Sequence, residues 1–509
     1  MTALSTISEI LSSTRLWIVG LLSFLVIYCR RQYRAHRRLA HFDGPFWASV
    51  TELWLAKVTW ESRIHTEMRD VNEKYGNVAR VGPNLLMTND ADLLRKIGMA
   101  RSTYARSEWN EALRLDPRIN NSISETDEKK HAEYRRKVFN AYSGKDTPGR
   151  EKTVDSHILY LVHLMETKYL SNERQFKVLD LAGICSFFTL DVITELAFGS
   201  AFGFLAADAD LYDYNKSITP IMPLMELNSN ITWIAAILNH PRVKRLISPA
   251  ANDGSPMGRM IGAAQGSVAK RYAAGTDDVQ DMLGSFMRHG LTQLEAEGES
   301  LVQVMAGADS TSTAIRMAMY FIMTNPIVYL KLRAEIDAAQ QHNQLSSPII
   351  SDAEAIQLPY LQAVIKEGLR IWPPGVGIAT KWVPPEGDTL EDGRFIPGGT
   401  RIGWSAWGTQ HNREVYGDDA RVFRPERWLE LEPGSEQLLK MERTHELIFG
   451  NGRYGCLGKN LATMELNKVI PTLMRRFEMT LTDPTTPFKS QGNGFFHQSG
   501  IFVKITKRE

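Results

Sequence analysis

The sequence predicts a predominantly α-helical fold with small β-sheets, an α+β arrangement in one large domain. Long segments after residue 127 carry apolar residues at helical spacing, whereas β-like runs are short and lie near residues 78–88, 378–404 and 495–505. Hydrophobic content is 43% and charged content 23%, which is ordinary for a globular protein. No repeat, low-complexity tract or break in composition interrupts residues 43–509, so we expect one domain there.

Cap and stop signals set the bounds of the predicted elements. Asn89 is predicted to cap a short helix, and Asn325-Pro326 ends the longest helix. The segment Phe204–Asn239 mixes helical turns with two prolines and many apolar residues, which predicts a mobile lid over an apolar space. The predicted helices are Asp127–Ala141, Val154–Tyr169, Val178–Phe198, Leu294–Thr324, Ile327–Gln340, Tyr360–Trp372 and one after Cys456; the predicted strands are Val78–Val81, Leu85–Thr88, Ile378–Val383, Arg401–Trp404 and runs within Phe495–Ile505.

Residues 1–38 are predicted to be a membrane anchor with a basic flank. Leu16–Cys29 is uncharged and almost wholly apolar, and the preceding residues from Ile7 extend it to the length that a bilayer core requires. Five arginines follow within residues 30–38, which places residues 39–509 in the cytosol by the positive-inside rule. A cleaved signal peptide is the alternative, although such peptides carry their charge in front of the apolar run.

Charge and cysteine content argue against several classes of protein. The net charge of +1 gives no reason to expect a nucleic-acid partner. The three cysteines, Cys29, Cys185 and Cys456, form no Cys-x-x-Cys pair. This argues against zinc ribbons, iron–sulfur clusters and a disulfide framework, and it indicates a reducing compartment.

Cys456 lies in a glycine-rich loop, Phe449–Gly458, that precedes a predicted helix. Glycines allow tight turns and a close approach of the backbone to a flat ligand. Backbone N–H groups at a helix start favour a thiolate over a thiol. The pattern is compatible with an axial thiolate ligand to haem iron, and equally with a buried, inert cysteine after a turn.

Further motifs decide between these interpretations. Glu367 and Arg370 stand three apart on one helix, Arg427 lies in a Pro-Glu-Arg sequence, and Cys456 follows 29 residues later. Together they resemble the haem-thiolate monooxygenases of the cytochrome P-450 superfamily. The resemblance extends from the anchor to about Ile505 and implies the cytochrome P-450-type fold. It also implies that Glu367, Arg370 and Arg427 form a buried charge cluster with a structural role.

The segment Ala306–Thr311 of the longest predicted helix is similar to the family's oxygen-activation motif. Gly307 removes side-chain bulk where a ligand would approach the helix. Asp309 beside Ser310 would relay protons from solvent to the oxygen-activation site. The family usually has threonine where this chain has Ser310, so either Ser310 or Thr311 is a candidate for the relay.

The residues that bind the haem propionates depart from the family pattern. The basic residue usually found two positions before the cysteine is Tyr454 here, and Arg453 stands one position earlier. The other candidates implied by the resemblance are His131 and Arg135, on the helix after Asp127, and Lys381, after the Pro-Pro loop, with Arg135 preferred. Phe449 begins the loop and is also expected at the cofactor.

The resemblance implies a monooxygenase that binds haem b through the Cys456 thiolate. Because the chain contains no dinucleotide or flavin motif, we expect electrons from a separate NADPH-dependent flavoprotein reductase of the endoplasmic reticulum membrane. The expected substrate is an apolar small molecule, a terpenoid, polyketide or alkaloid intermediate of secondary metabolism. The alternatives are a haem-thiolate isomerase or dehydratase and a catalytically inactive haem-binding protein.

Overall fold

Two long helices, Leu181–Phe198 and Gln293–Thr324, pack against each other at the centre of the protein. The structure, a computed structural model, describes residues 18–508 apart from 21, 24, 25, 31 and 252. The first helix is apolar on nearly all sides and is almost entirely buried, as expected for a helix surrounded by others. The second, which we call the long helix, begins with a capping box of Thr292 and Glu295.

The remaining elements surround this pair. The other helices are Phe46–Val50, Leu53–Trp60, Ile64–Tyr75, Ala91–Gly98, Glu128–Ser143, Arg150–Leu164, Phe204–Ala207, Tyr214–Asn230, Thr232–Leu238, Pro241–Ile247, Pro256–Ala274, Met282–Arg288, Pro326–Gln341, Asp352–Ile356, Pro359–Ile371, Ala406–Gln410, Arg413–Tyr416, Glu436–Glu446 and Lys459–Arg476. The strands are β1 Val78–Gly82, β2 Leu85–Thr88, β3 Ala105–Arg106, β4 Leu179–Asp180, β5 Lys381–Trp382, β6 Asp388–Thr389, β7 Phe395–Ile396, β8 Arg401–Trp404, β9 Phe477–Leu481, β10 Lys489–Asn493, β11 Phe495–Ser499 and β12 Phe502–Lys507.

The strands form small sheets at the edges of the helical body. The largest has the order β1-β2-β8-β5-β3, in which β2 and β8 are parallel and the other pairs antiparallel. A three-stranded sheet has the order β4-β12-β9, and β10-β11 and β6-β7 are separate two-stranded pairs. The predicted fold class, mostly helical with small sheets, is therefore confirmed.

Most predicted helices agree with the structure to within a few residues because their ends carry strong local signals. Asp127 caps Glu128–Ser143 by accepting two backbone N–H groups, and Gly199 ends Leu181–Phe198 in the left-handed conformation. The segment Phe204–Asn239 forms the regular helix Tyr214–Asn230 with Pro220 and Pro223 inside it, followed by Thr232–Leu238.

Two local predictions were wrong. The cap of Ala91–Gly98 is Asp90 rather than Asn89, because the Asp90 carboxylate accepts the N–H groups of Asp92 and Leu93. Of the predicted strand Ile378–Val383, only β5 pairs with neighbours. The predicted helix after the cysteine is present: it begins at Lys459, with Gly458 as its N-cap, directly after the loop that contains Cys456.

The predicted anchor Leu16–Cys29 lies partly outside the described residues. Residues 18–20, 22–23 and 26–30 within and after it are helical, and their large apolar side chains are exposed. Among the described helices, Leu181–Phe198 is long and apolar enough to cross a membrane, but most of it is buried in the protein, as a core helix would be. The bent pair Leu211–Asn230 and Thr232–Leu238 also meets the criterion when the two are taken as one broken span.

Candidate functional site

The loop Phe449–Gly458, which we call the cysteine loop, has a tightly turned backbone. The Cys456 N–H donates to the Phe449 carbonyl at 2.6 Å, closing the loop. Gly450 and Gly452 have φ angles of +71° and +54°, which favour glycine. A Cβ on Gly452 would come within 2.1 Å of the Gly98 carbonyl oxygen, so the loop is packed directly against the end of the helix Ala91–Gly98. This close fit holds Cys456 in a defined position.

The Cys456 thiol lies on the wall of a recess. Its side chain is exposed, yet burial by the surrounding protein is the main influence on its pKa, which it raises. The N–H groups of Gly458 and Lys459 and the charge of Arg135 act in the opposite direction. The expectation that the helix start favours the thiolate is therefore only partly correct: the N–H groups point to the sulfur, but desolvation outweighs them.

The predicted relay residues occupy different environments on the long helix. The Ser310 hydroxyl donates to the Ala306 carbonyl at 2.7 Å, the backward bond that loosens a helical turn. Thr311 is buried, and the described residues offer its hydroxyl no hydrogen-bond partner. Asp309 is buried too and accepts a hydrogen bond from the Tyr214 hydroxyl at 3.1 Å. Burial raises the pKa of Asp309 to about 7, where a carboxyl group exchanges protons readily.

Gly307 lies where the long helix packs against the neighbouring core helix. A Cβ at this position would lie 2.8 Å from Cγ1 of Ile193 on the neighbouring core helix. The absent side chain therefore permits the long helix and Leu181–Phe198 to pack closely. The sequence suggested only ligand approach as the reason for this glycine, and close helix packing is a reason that the structure adds.

Five basic side chains gather around Tyr454, and we call Arg106, His131, Arg135, Lys381 and Arg453 the cation cluster. Lys381 Nζ lies 4.0 Å from the centre of the Tyr454 ring, and the Arg106 and Arg453 guanidinium groups lie about 5 Å from it. The Tyr454 hydroxyl donates to the Glu128 carboxylate at 2.6 Å. The structure thus brings together all four basic residues that the sequence suggested and adds Arg106.

Arg106 and Glu128 were missed because nothing local marks them. Arg106 lies in the long loop after residue 101, and its guanidinium donates to the carbonyls of Ser122, Ile123 and Glu125 and to His131 Nε2. The pairing of β3 with β5 places Arg106 opposite Lys381. The cluster forms because this sheet brings together Arg106 and Lys381, which are 275 positions apart in the sequence.

The cation cluster carries more positive charge than its partners neutralise. Arg106 Nε and Arg453 Nε are buried and have no hydrogen-bond partner among the described residues. Burial, together with the neighbouring arginines, lowers the pKa of Lys381 to about 7 and that of His131 to about 3. Three basic side chains, Arg106, Lys381 and Arg453, interact with one carboxylate, Glu128, which is the environment that an anionic ligand would complete.

The two arginines beside the cysteine loop point in different directions. Arg453 Nη2 donates to the carbonyls of Ser102 and Tyr104, and its Nε lies 3.8 Å from Glu128. Arg135 Nη2 donates to the Gly455 carbonyl at 2.6 Å, next to the cysteine itself. Arg135 is therefore closer to the thiol, and Arg453 to the wall formed by residues 102–104.

A second charge cluster, Glu367, Arg370 and Arg427, is completely buried and completely paired; we call it the Glu367 cluster. Arg370 makes two hydrogen bonds to the Glu367 carboxylate, at 2.8 and 2.9 Å, and Arg427 Nε makes a third at 3.0 Å. The Trp428 indole N–H and the Arg424 backbone N–H also donate to it. Burial alone would raise the pKa of Glu367, but the two arginines lower it overall.

This geometry can be compared with known proteins. Residues 42–505 match the family model described as Cytochrome P450. The chain belongs to the cytochrome P450 family. Cytochrome P450 monooxygenase ABA1 of Pyricularia oryzae is 40% identical over 500 residues, which cover 97% of each chain. Its namesake aba1 of Botryotinia fuckeliana is 39% identical over 91% of each chain, and gsfF of Penicillium aethiopicum is 30% identical over 99% of each chain. This chain is accordingly a cytochrome P450 monooxygenase with fungal relatives.

Membership of the family implies a haem-thiolate cofactor, and the residues present suit one. The cysteine loop provides a single thiol in a recess, and the unpaired nitrogens of Arg106 and Arg453 provide donors for carboxylates. Haem carries two such propionate groups. The donor set therefore fits a planar, dianionic metal complex bound through sulfur.

Proposed function

We propose that this cytochrome P450 inserts one atom of dioxygen into an apolar small molecule, using haem b held by Cys456. The observation that carries the proposal is the combination of one recessed thiol with a buried surplus of cations beside it. When bound, the haem supplies the iron chemistry that activates dioxygen, with the thiolate favouring O–O cleavage. All other steps depend on side chains of this chain.

The cation cluster binds and orients the cofactor. Arg106, Lys381 and Arg453 hold the carboxylates, and Arg135 fixes the cysteine loop through the Gly455 carbonyl. Phe449 anchors the loop from its first residue, since its carbonyl accepts the Cys456 N–H. Burial of these contacts excludes water and strengthens each charge-assisted bond.

Asp309 and Ser310 deliver protons. Asp309 is a buried acid with a pKa near neutrality, so it accepts and releases a proton at little cost. The Ser310 hydroxyl, bonded to the Ala306 carbonyl, can rotate to pass the proton onward. Retention of this acid–alcohol pair favours oxygen insertion over isomerase or dehydratase chemistry, which needs no such delivery.

The substrate and the reductase follow from the surroundings of the site. Apolar side chains dominate the helices over Phe204–Asn239, so the substrate is an apolar compound, and secondary-metabolite intermediates such as terpenoids, polyketides or alkaloids have this character. Electrons come from a separate NADPH-dependent flavoprotein reductase, because the chain has no flavin or dinucleotide motif.

The protein is held on the endoplasmic reticulum membrane by residues 1–38, with the enzyme domain from residue 39 in the cytosol. The exposed apolar residues of 18–27 and the arginines that follow support this topology. Arg80 donates to the carbonyls of Ala35 and His36. A deletion that tests the anchor should therefore end before residue 35, so that these contacts of the enzyme domain remain. Removing residues 1–33 should release the protein from membranes and leave its haem bound; retention on membranes would contradict the anchor.

Replacement of the cysteine tests the cofactor assignment. Cys456→Ala should abolish the thiolate-type spectrum of the reduced carbon-monoxide complex, whereas the buried Cys185→Ala should leave it intact. The reaction class is tested with reductase, NADPH and candidate apolar compounds under labelled dioxygen. One labelled oxygen atom in the product, with NADPH consumed, supports the proposal; an unlabelled isomer formed without NADPH would support the isomerase instead.

A further inference from the structure

Tyr214 and Asp309 form a buried hydrogen bond between two helices. Tyr214 is the first residue of the helix Tyr214–Asn230, and Asp309 lies in the middle of the long helix. The two residues are only 3% and 2% exposed. The Tyr214 hydroxyl donates to Asp309 Oδ2 at 3.1 Å, and no other group among the described residues donates to this carboxyl group. Tyr214 alone therefore determines which oxygen of Asp309 is engaged.

The other oxygen of Asp309, Oδ1, is unpaired but not sealed off. It makes no hydrogen bond to the described residues, and it is not among the unpaired polar atoms that are completely enclosed. A water molecule or a hydroxyl group can approach Oδ1, whereas Oδ2 is occupied by Tyr214. The two oxygens of this carboxyl group thus have different environments, and only one of them is open to proton exchange.

Tyr214 is a lasting donor in this pair. Burial, together with the Asp309 carboxylate, raises the pKa of Tyr214 well above its usual value, so the hydroxyl keeps its proton near neutral pH. A neutral carboxyl group has one O–H and one carbonyl oxygen, and the carbonyl oxygen is the better acceptor. Because Tyr214 donates to Oδ2, the acidic proton of neutral Asp309 resides on Oδ1.

The start of the helix Tyr214–Asn230 is held in place without the Tyr214 hydroxyl. The Asp210 carboxylate accepts the backbone N–H of Asn215 at 3.0 Å. The Ser186 hydroxyl, on the core helix Leu181–Phe198, donates to Asn215 Oδ1 at 2.8 Å. Removing the Tyr214 hydroxyl leaves these contacts intact, so the ring should stay where it is.

The ionisation of Asp309 is set by few groups. Burial raises the pKa of Asp309 to about 7, and the tyrosine hydrogen bond and the charge of Arg316 partly oppose this increase. Asp180, Cys185 and His497, from the elements packed against the long helix, interact with Arg316 in turn. All of these groups are unchanged by removal of the tyrosine hydroxyl, so the titration of Asp309 reports on that hydroxyl.

We propose that Tyr214 is a positioning residue for Asp309: its hydroxyl group occupies Oδ2 and keeps the acidic proton on Oδ1, from which the relay takes it. This rests on the proposed monooxygenase function. In each cycle the O–H bond at Oδ1 breaks, the proton passes toward Ser310, and a proton from solvent restores the acid. Tyr214 donates throughout and does not lose its own proton.

Infrared spectroscopy of the haem-containing full chain, without substrate or NADPH, tests the position of the proton. Difference spectra between acidic and alkaline pH show the C=O stretching band of protonated Asp309, which is identified by its absence in Asp309→Asn. Tyr214→Phe removes the hydrogen bond to this C=O group, so the band should move to higher frequency. The titration should also move to higher pH, by roughly one unit, because the lost hydrogen bond favours the ionised form.

Tyr142→Phe is the matched control. The Tyr142 hydroxyl donates to the Glu299 carboxylate at 3.2 Å, on the same long helix but ten residues before Asp309, or roughly 15 Å away. The same kind of bond is removed, yet the Asp309 band and its titration should not move. An unmoved band in Tyr214→Phe, or an equal shift in both variants, would overturn the proposal.

NADPH consumption tests whether Tyr214 acts through Asp309. With reductase and substrate present, Tyr214→Phe should consume NADPH several times more slowly at unchanged haem content. Adding Tyr214→Phe to Asp309→Asn should cause no further slowing, because the acid that it positions is gone. Full additional slowing in the double variant would indicate a structural role and overturn the proposal. A shifted band with normal NADPH consumption in both Tyr214→Phe and Asp309→Asn would instead contradict the relay of the proposed function, while supporting the position of the proton on Oδ1.

Discussion

The Glu367 cluster and the cation cluster both bury arginines, but they balance charge differently. In the Glu367 cluster the carboxylate receives five donors, and the remaining nitrogens of Arg370 donate to the carbonyls of Gln410, Ala420 and Val422. In the cation cluster two buried guanidinium nitrogens have no hydrogen-bond partner among the described residues, and burial lowers the pKa of Lys381 to about 7. The first cluster is complete by itself, whereas the second needs an anion.

Because of this difference, we expect the Glu367 cluster to be a structural site and the cation cluster to be a binding site. A buried charge that lacks a partner costs several kcal/mol, so a surplus persists only where function requires it. The Glu367 cluster connects the helix Pro359–Ile371 to the segment around Arg427. The same residue type, arginine, thus serves stability in one place and recognition in the other.

Breaking the balanced cluster should have the largest effect. Glu367→Gln leaves Arg370 and Arg427 buried without a counter-charge, and we expect a loss of about 3–5 kcal/mol in the free energy of unfolding. Urea unfolding of the purified protein measures it. Glu442→Gln, which removes an exposed ion pair with Lys366, should cost less than about 1 kcal/mol. Equal losses in the two variants would contradict the comparison.

Removing one cation from the unbalanced cluster should have opposite effects with and without haem. Lys381→Met relieves repulsion from Arg106 and Arg453, so the haem-free protein should be no less stable than the unaltered protein at neutral pH. Haem binding should weaken by about tenfold or more, the usual worth of a bond to a charged group. Haem titration and unfolding of both forms test this; a haem-free protein that is strongly destabilised would assign Lys381 a structural role.

The same lysine predicts a pH dependence. Its pKa falls from 10.5 to about 7 on folding, so between these values the unfolded chain binds more protons than the folded one. The free energy of unfolding of the haem-free protein should therefore rise as pH increases from 7 toward 10.5. Unfolding curves across this range measure the slope, and the contribution should be absent from Lys381→Met. An identical slope in both proteins would argue against the lowered pKa of Lys381.

Arg453 and Tyr454 should differ in their effect on haem retention. Arg453→Leu removes a charge and an unpaired donor, whereas Tyr454→Phe keeps the ring that Arg106, Lys381 and Arg453 face. We expect the arginine variant to lose haem several times faster to a haem-scavenging protein. The reverse order would mean that the Tyr454–Glu128 hydrogen bond is the critical contact of the loop.

The smallest expected effect concerns the proton relay. The Asp309 carboxyl group accepts one hydrogen bond from the described residues, so it can still bond to another group that passes a proton. Ser310→Ala should preserve haem content and NADPH consumption but release several times more hydrogen peroxide per NADPH. Thr311→Ala should be nearly silent, because the Thr311 hydroxyl makes no hydrogen bond to the described residues. Asp309→Asn should slow the whole cycle. Peroxide assays on the three variants show which hydroxyl group carries the relay. If Thr311→Ala releases more peroxide and Ser310→Ala does not, the relay belongs to Thr311.

Local chemistry allowed most elements to be predicted from the sequence. Caps such as Asp127 and stops such as Gly199 act within a few residues, and the three-residue spacing of Glu367 and Arg370 places them on one helix face wherever the helix packs. Motif order was sufficient to identify the family. The wrong cap at Asn89 and the shortened strand at β5 are errors of one or a few residues within correct segments.

Tertiary structure alone decided the partners. Arg106 joins the cluster through β3 and β5, Tyr214 reaches Asp309 from another helix, and Gly307 faces Ile193 rather than a ligand. These contacts connect residues roughly a hundred or more positions apart, and such separations leave no periodic trace in the sequence. Whether a buried charge is balanced depends on every chain segment that folds against it. The sequence alone could therefore suggest which residues form the proposed haem site. It could not show that these residues carry a surplus of positive charge, which is the feature that suits them to binding.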